Sequence, residues 1–193
     1  MNKLLIITAL VLLGGLSVFV VVSEKQDAPQ EFSLSHPDIS KIKLTDHEGQ
    51  VLTLGSLQGK NVMLNFMFNG CSPVQTLALR RVYLDHKLDR TDKNIVFLSI
   101  SVATDTDTPE QLKKFAERYG IYSKNWRIAI PSKASLDKLL DTLNAGIPPA
   151  EGQIGHLGTI FLLNKDGGLS KRYQGYPVSP SLLFDDINSA LSE

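Results

Sequence analysis

Two nearly uncharged runs constrain this chain more than any other feature. Residues 61–68 read NVMLNFMF and residues 94–102 read NIVFLSISV. Short, mostly apolar runs of this kind predict strands covered on both faces. Such strands need helices to cover them, and a helical pattern follows each run. Ser72-Pro73 opens the first helix, with Ser72 as a cap and Pro73 at the first helical position. Leu77, Val82 and Tyr83 supply its apolar face, with Leu79 as a further candidate. Thr108-Pro109-Glu110 starts the second helix, Leu112, Phe115, Ala116 and Tyr119 recur at helical spacing, and Gly120 stops it. Alternation of strand and helix implies parallel strands with right-handed crossovers.

The flanking segments extend this pattern. Residues 42–54 alternate around a Glu48-Gly49 turn and predict a hairpin. Trp126–Ile130 is a short strand, and Ser132–Asn144 is a helix with Leu136, Leu139, Leu140 and Leu143 inward. A loop with Pro148-Pro149 follows over 146–155. Leu157–Leu163 and Leu169–Tyr173 are strands joined by a turn at Lys165–Gly168, and Ser179–Leu191 is a closing helix. The sum is an α/β chain with a central mixed sheet flanked by helices, a thioredoxin-like architecture.

Residues 4–22 carry no charge, with Lys3 before them and Glu24-Lys25 after. As a helix they would extend roughly 29 Å, close to the thickness of a bilayer core. The segment is longer than the apolar part of a typical cleaved signal and lacks a small-x-small cleavage site before the polar break. It is therefore expected to anchor the chain, with Lys3 on the cytoplasmic side. The expected division is an anchor or signal segment over 1–25, a polar tether over 26–40 and a domain over 41–193. That arrangement implies a single pass through the inner membrane with the domain facing the periplasm, or release to the periplasm if the segment is cleaved. Lys+Arg and Asp+Glu both number 20, so no net field draws the chain to nucleic acid.

The chain has one cysteine, Cys71, which forbids an internal disulfide. It lies between a buried strand and a helix start, where free amide groups and the helix dipole stabilise a thiolate. His36, His47 and His86 fall in the tether, a hairpin turn and a late helical position, and none is expected to bind metal. Met63 and Met67 share one strand face and are expected to be core. Asp107 is expected to be a turn or helix-start acid.

The run Phe66-Met67-Phe68-Asn69-Gly70-Cys71-Ser72-Pro73-Val74-Gln75 resembles the cysteine segment of the Sco/SenC family. Family members carry two cysteines with three residues between them. Phe66, Phe68 and Cys71 match, and Gln75 stands at the second cysteine. Asp107-Thr108-Pro109-Glu110 matches the family's Asp-Thr-Pro-Glu run, although Ala103-Thr104 replaces the Asp-Pro that precedes it. His156, just before the late strand, matches the family's histidine, and Asn164–Gly167 resembles its following turn. The likeness spans roughly residues 40–191.

The resemblance implies a copper-binding chaperone or assembly factor for the copper centre of a respiratory oxidase, acting on an oxidase subunit or another copper carrier. It implies one copper ion held by Cys71 and His156, with Gln75 as a further candidate ligand. Thiolate suits Cu(I) and imidazole suits both copper states, whereas an amide oxygen is harder and weaker. The site so implied is degenerate. Two other readings are carried with it: a non-catalytic interaction module of the same fold, and a one-cysteine thiol peroxidase working through a sulfenic acid. An enzyme is the less expected outcome, since the peroxidase motifs around Cys71 are absent.

Overall fold

The computed structural model describes residues 37–70, 72–88, 94–122, 124–145, 158–175 and 177–192. The first described turn is α1 (Pro37–Ser40). The hairpin follows as β1 (Lys43–Asp46) and β2 (Val51–Thr53), paired antiparallel with Lys43 opposite Thr53. Its turn is organised by Asp46, whose Oδ1 accepts from the Glu48 and Gln50 backbone N–H groups at 3.0 and 2.8 Å. The two long apolar runs become β3 (Asn61–Met67) and β4 (Ile95–Ser101), and every residue of both strands is buried.

The helices and remaining strands follow the expected order. They are α2 (Val74–Asp85), α3 (Pro109–Arg118), β5 (Trp126–Pro131), α4 (Lys133–Thr142), β6 (Thr159–Leu163), β7 (Leu169–Gln174) and α5 (Pro180–Ser192). Thr108 caps α3 in a reciprocal box with Gln111. Ser132 caps α4 by accepting from the Ser135 N–H. Gly120 follows α3 at φ +67°, and a Cβ there would meet the Arg80 guanidinium at 2.9 Å, so only glycine fits without displacement. The start of α2 departs from expectation. Pro73 sits at its N-cap with no side-chain cap bond, one position before the first helical residue, where Ser72 was expected to be the cap.

The seven strands form one mixed sheet in the order β2-β1-β5-β4-β3-β6-β7. The central three, β5, β4 and β3, are parallel, and antiparallel pairs complete each side. Side chains alternate between the two faces of each strand. Met63 and Met67 pack with Phe97, Trp126 and Ile128 against α2, α3 and α5. Val62, Leu64 and Phe66 pack with Leu98 and Ile100 against α4. Both methionines are therefore core, as expected. Ile39 of α1 is buried in the second layer, so the packed core reaches back into the stretch read as tether.

The apolar face of α2 is rotated from the expected one. Leu79, Val82 and Tyr83 are buried, whereas Leu77 is 47% exposed. Gln75 and Thr76, both polar, are buried in its first turn instead. Two histidines also lie deeper than their positions suggest. His47 is buried, with Nδ1 beside the Ile128 backbone. His86 is buried at the end of α2 and packs on the Phe184 ring at 4.3 Å. The proposed anchor over 4–22 lies outside the described residues, and among the described residues no helix is long and apolar enough to cross a membrane.

Candidate metal centre

Parallel strands β3 and β4 end side by side, with Met67 opposite Ser101. In open α/β sheets, ligands bind outside the carboxyl ends of such strands. The connection from β3 to α2 leaves from this edge and carries Cys71. Strand β6 runs antiparallel to β3, with Ile160 opposite Asn65, so it begins at the same edge. The Gly158 carbonyl there accepts from the Gly175 N–H at 2.7 Å. The chain that carries His156 enters β6 at this point. Cys71 and His156 themselves lie outside the described residues. Among the described residues, no group of three His, Cys, Asp or Glu side chains could hold a metal ion.

The residues around the cysteine connection are held by side chains from far along the chain. Asp107 is buried before α3, and its Oδ2 accepts from the Asn69 N–H at 3.0 Å and from the Ser101 hydroxyl at 2.6 Å. The Ser101 oxygen accepts in turn from the Ala103 N–H at 3.2 Å. At Ala103, where related sequences are expected to carry an acid, the backbone does the work: its carbonyl accepts from the Asp107 N–H at 2.8 Å. Asp107 was expected to be a turn or helix-start acid, and it does stand immediately before the Thr108 cap of α3. Its role as an acceptor for Asn69 was signalled only by its place in the Asp-Thr-Pro-Glu run.

Gln75 is 5% exposed in the first turn of α2. Its Oε1 accepts from the Val178 N–H at 2.9 Å, joining α2 to the segment that leads into α5. Its Nε2 is buried without a partner, the single such side-chain atom among the described residues. The amide thus presents its oxygen to the backbone and leaves a donor free, and a donor cannot coordinate a cation. To ligate a metal, Oε1 would have to give up or share the Val178 bond.

A polar chain lies deeper under the same face. The Trp126 indole donates to Ser99 Oγ at 3.1 Å, and Ser99 donates to Asn65 Oδ1 at 2.7 Å. These bonds link β5, β4 and β3 within the core and satisfy three buried polar groups. A cavity of about 370 Å³ opens near Arg80, Leu84, Gly120 and Tyr122. It flanks the second half of α2. Leu84 is about 14 Å along the helix axis from Gln75, so the cavity is separate from the cysteine edge.

Comparison with known proteins follows this geometry. The SCO1/SenC family model matches residues 36–192. An SCO1 protein homolog of Bacillus subtilis (strain 168) is 27% identical over 157 residues, covering 79% of this chain and 80% of that protein. Among solved structures, BsSco, described as a member of the Sco family of cytochrome c oxidase assembly proteins with a disulfide switch, aligns with a TM-score of 0.70 at 24% identity. That alignment covers 86% of this chain and 96% of the other. ScoI of Bradyrhizobium japonicum with copper bound aligns with a TM-score of 0.62 at 21% identity, over 78% of this chain and 97% of the other. The fold is thioredoxin-like, as the alternation of strands and helices implied.

Proposed function

This chain belongs to the SCO1/SenC family, and from that premise we propose that it is a copper-binding protein whose ion is held by Cys71 and His156. What supports the reading is the meeting of two chain segments at one sheet edge: the exit of β3, followed by the cysteine, and the entry of β6, preceded by the histidine. Thiolate and imidazole form a donor set suited to copper. The described residues add no third strong donor, because the Gln75 oxygen is committed to Val178. The site so proposed is a degenerate, single-thiolate one, in which Gln75 ligates only by sharing or giving up that bond.

The role is that of a chaperone or assembly factor for the copper centre of a respiratory oxidase, receiving copper from or passing it to an oxidase subunit or another copper carrier. BsSco belongs to a family of such assembly proteins and ScoI was solved with copper, which favours this role. Residues 4–22 would hold the chain in the inner membrane with the domain in the periplasm. The deciding experiment is a Cu(I) titration of the metal-free full chain against a chromophoric chelator. One ion per chain is expected, lost in Cys71→Ser and weakened in His156→Ala. Uptake no greater than that of Cys71→Ser removes the reading.

Gln75 favours a second reading, in which the chain kept the fold as an interaction module without metal. A cysteine inert to alkylation in the native protein, with no copper uptake, would establish it over the first.

A further inference from the structure

We propose that Asp107 and Gln75 are positioning residues that hold the two flanks of the cysteine connection, Asn69 on one side and the first turn of α2 on the other. This deepens the copper reading and rests on it for its consequence, although the hydrogen bonds themselves do not. Pro73 at the N-cap makes no side-chain bond, and proline has no N–H to offer. The upstream flank is fixed instead by Asp107, 38 residues away, through the Asn69 N–H at 3.0 Å. The Ser101 hydroxyl bonds the same oxygen at 2.6 Å and so holds the carboxylate in place. The downstream flank is fixed by Gln75, whose oxygen reaches the Val178 N–H, 103 residues away, at 2.9 Å.

Both side chains are at least nine-tenths buried, at 9% and 5% exposure. A carboxylate and an amide are costly at such depth unless they are hydrogen-bonded. The unpartnered Gln75 Nε2 makes the point sharper. An apolar residue there would bury no orphan donor, and what glutamine contributes is the acceptor for Val178. The two bonds tie the connection to the loop after β4 and to the entry of α5. Each links it to a different element of the same layer. With a single thiolate in the chain, the direction of that sulfur matters more than in a site with two, because no second thiolate compensates for a misplaced first. Groups that orient metal ligands typically carry 10–100-fold in affinity.

The test compares Asp107→Leu and Gln75→Leu, which remove the acceptors, with Asp107→Asn and Gln75→Glu, which keep an oxygen in place. In the full chain, Cu(I) affinity is expected to fall about tenfold or more in each leucine variant and to stay near the parent in the conservative pair. Hydrogen exchange is expected to quicken at Asn69 in Asp107→Leu and at Val178 in Gln75→Leu. Leucine variants that fold and bind copper like the parent overturn the proposal, as do conservative variants that lose as much as the leucine ones. Should a leucine variant fail to fold, Ser101→Ala carries the test by freeing the carboxylate without removing it, and parental copper affinity in that variant overturns the Asp107 half. Should the parent take up no copper, the function fails separately. The clamps are then decided by iodoacetamide alkylation of Cys71, whose rate is expected to change in the leucine variants, and unchanged rates overturn them.

Discussion

The Tyr173 hydroxyl donates to Asp186 Oδ2 at 2.7 Å, and Lys171 Nζ lies 2.7 Å from the same oxygen. Two alternate residues of β7 thus converge on one carboxylate of α5 and fasten the last helix to the sheet edge. Burial raises the Tyr173 pKa far above the usual tyrosine value, and the bond to Asp186 and its negative charge add to the rise. The unfolded tyrosine ionises near 10. Above that pH the folded state holds a proton that the unfolded state has lost, so stability falls as pH rises. Below it the contribution is fully present. Tyr173→Phe is expected to flatten the loss of thermal stability between about pH 9 and 11, because the group with the shifted titration is gone. Equal losses in parent and variant, followed by calorimetry, would refute this.

Ser99 is the hub of the buried chain from Trp126 to Asn65. Ser99→Ala leaves the indole N–H without an acceptor and the Asn65 oxygen without its donor, both inside the core. Each stranded group costs about 1–3 kcal/mol, so a loss of about 2–6 kcal/mol is expected. Urea unfolding measures it, and a change under about 1 kcal/mol would mean that the core relaxes to satisfy both groups.

Gln75→Cys separates the two consequences of the glutamine. It places a second thiol four residues after Cys71 in sequence, and Cu(I) affinity is expected to rise by about tenfold or more, since a soft donor replaces an amide. It also removes the acceptor for Val178, so metal-free stability is expected to fall by about 1 kcal/mol. Chelator competition and thermal unfolding of the same variant check both signs. A copper affinity no higher than that of Gln75→Leu, which lacks the same acceptor, would count against Cys71 as a ligand.

Much of the fold was legible in the linear chain. The buried runs became β3 and β4, helices began at the expected Thr108-Pro109 and Ser132 positions, and Gly120 ended α3 at positive φ. These are local matters, decided by backbone geometry and by the spacing of apolar side chains. The face of α2 was less legible, because its start carries buried polar residues. Periodicity counted Leu77 inward where Gln75 and Thr76 are buried. His47 was invisible as a core residue because its burial depends on the neighbouring strand β5.

Family membership and the identity of the candidate ligands came from the sequence by itself, through Cys71, His156 and the runs around them. Only the tertiary structure decided what holds the cysteine connection. Asn69 meets Asp107, and Gln75 meets Val178, across 38 and 103 residues of chain. Such bonds have no signature in spacing or propensity, since they exist only once the sheet has brought distant segments to one edge and excluded the water that would otherwise compete for the same groups.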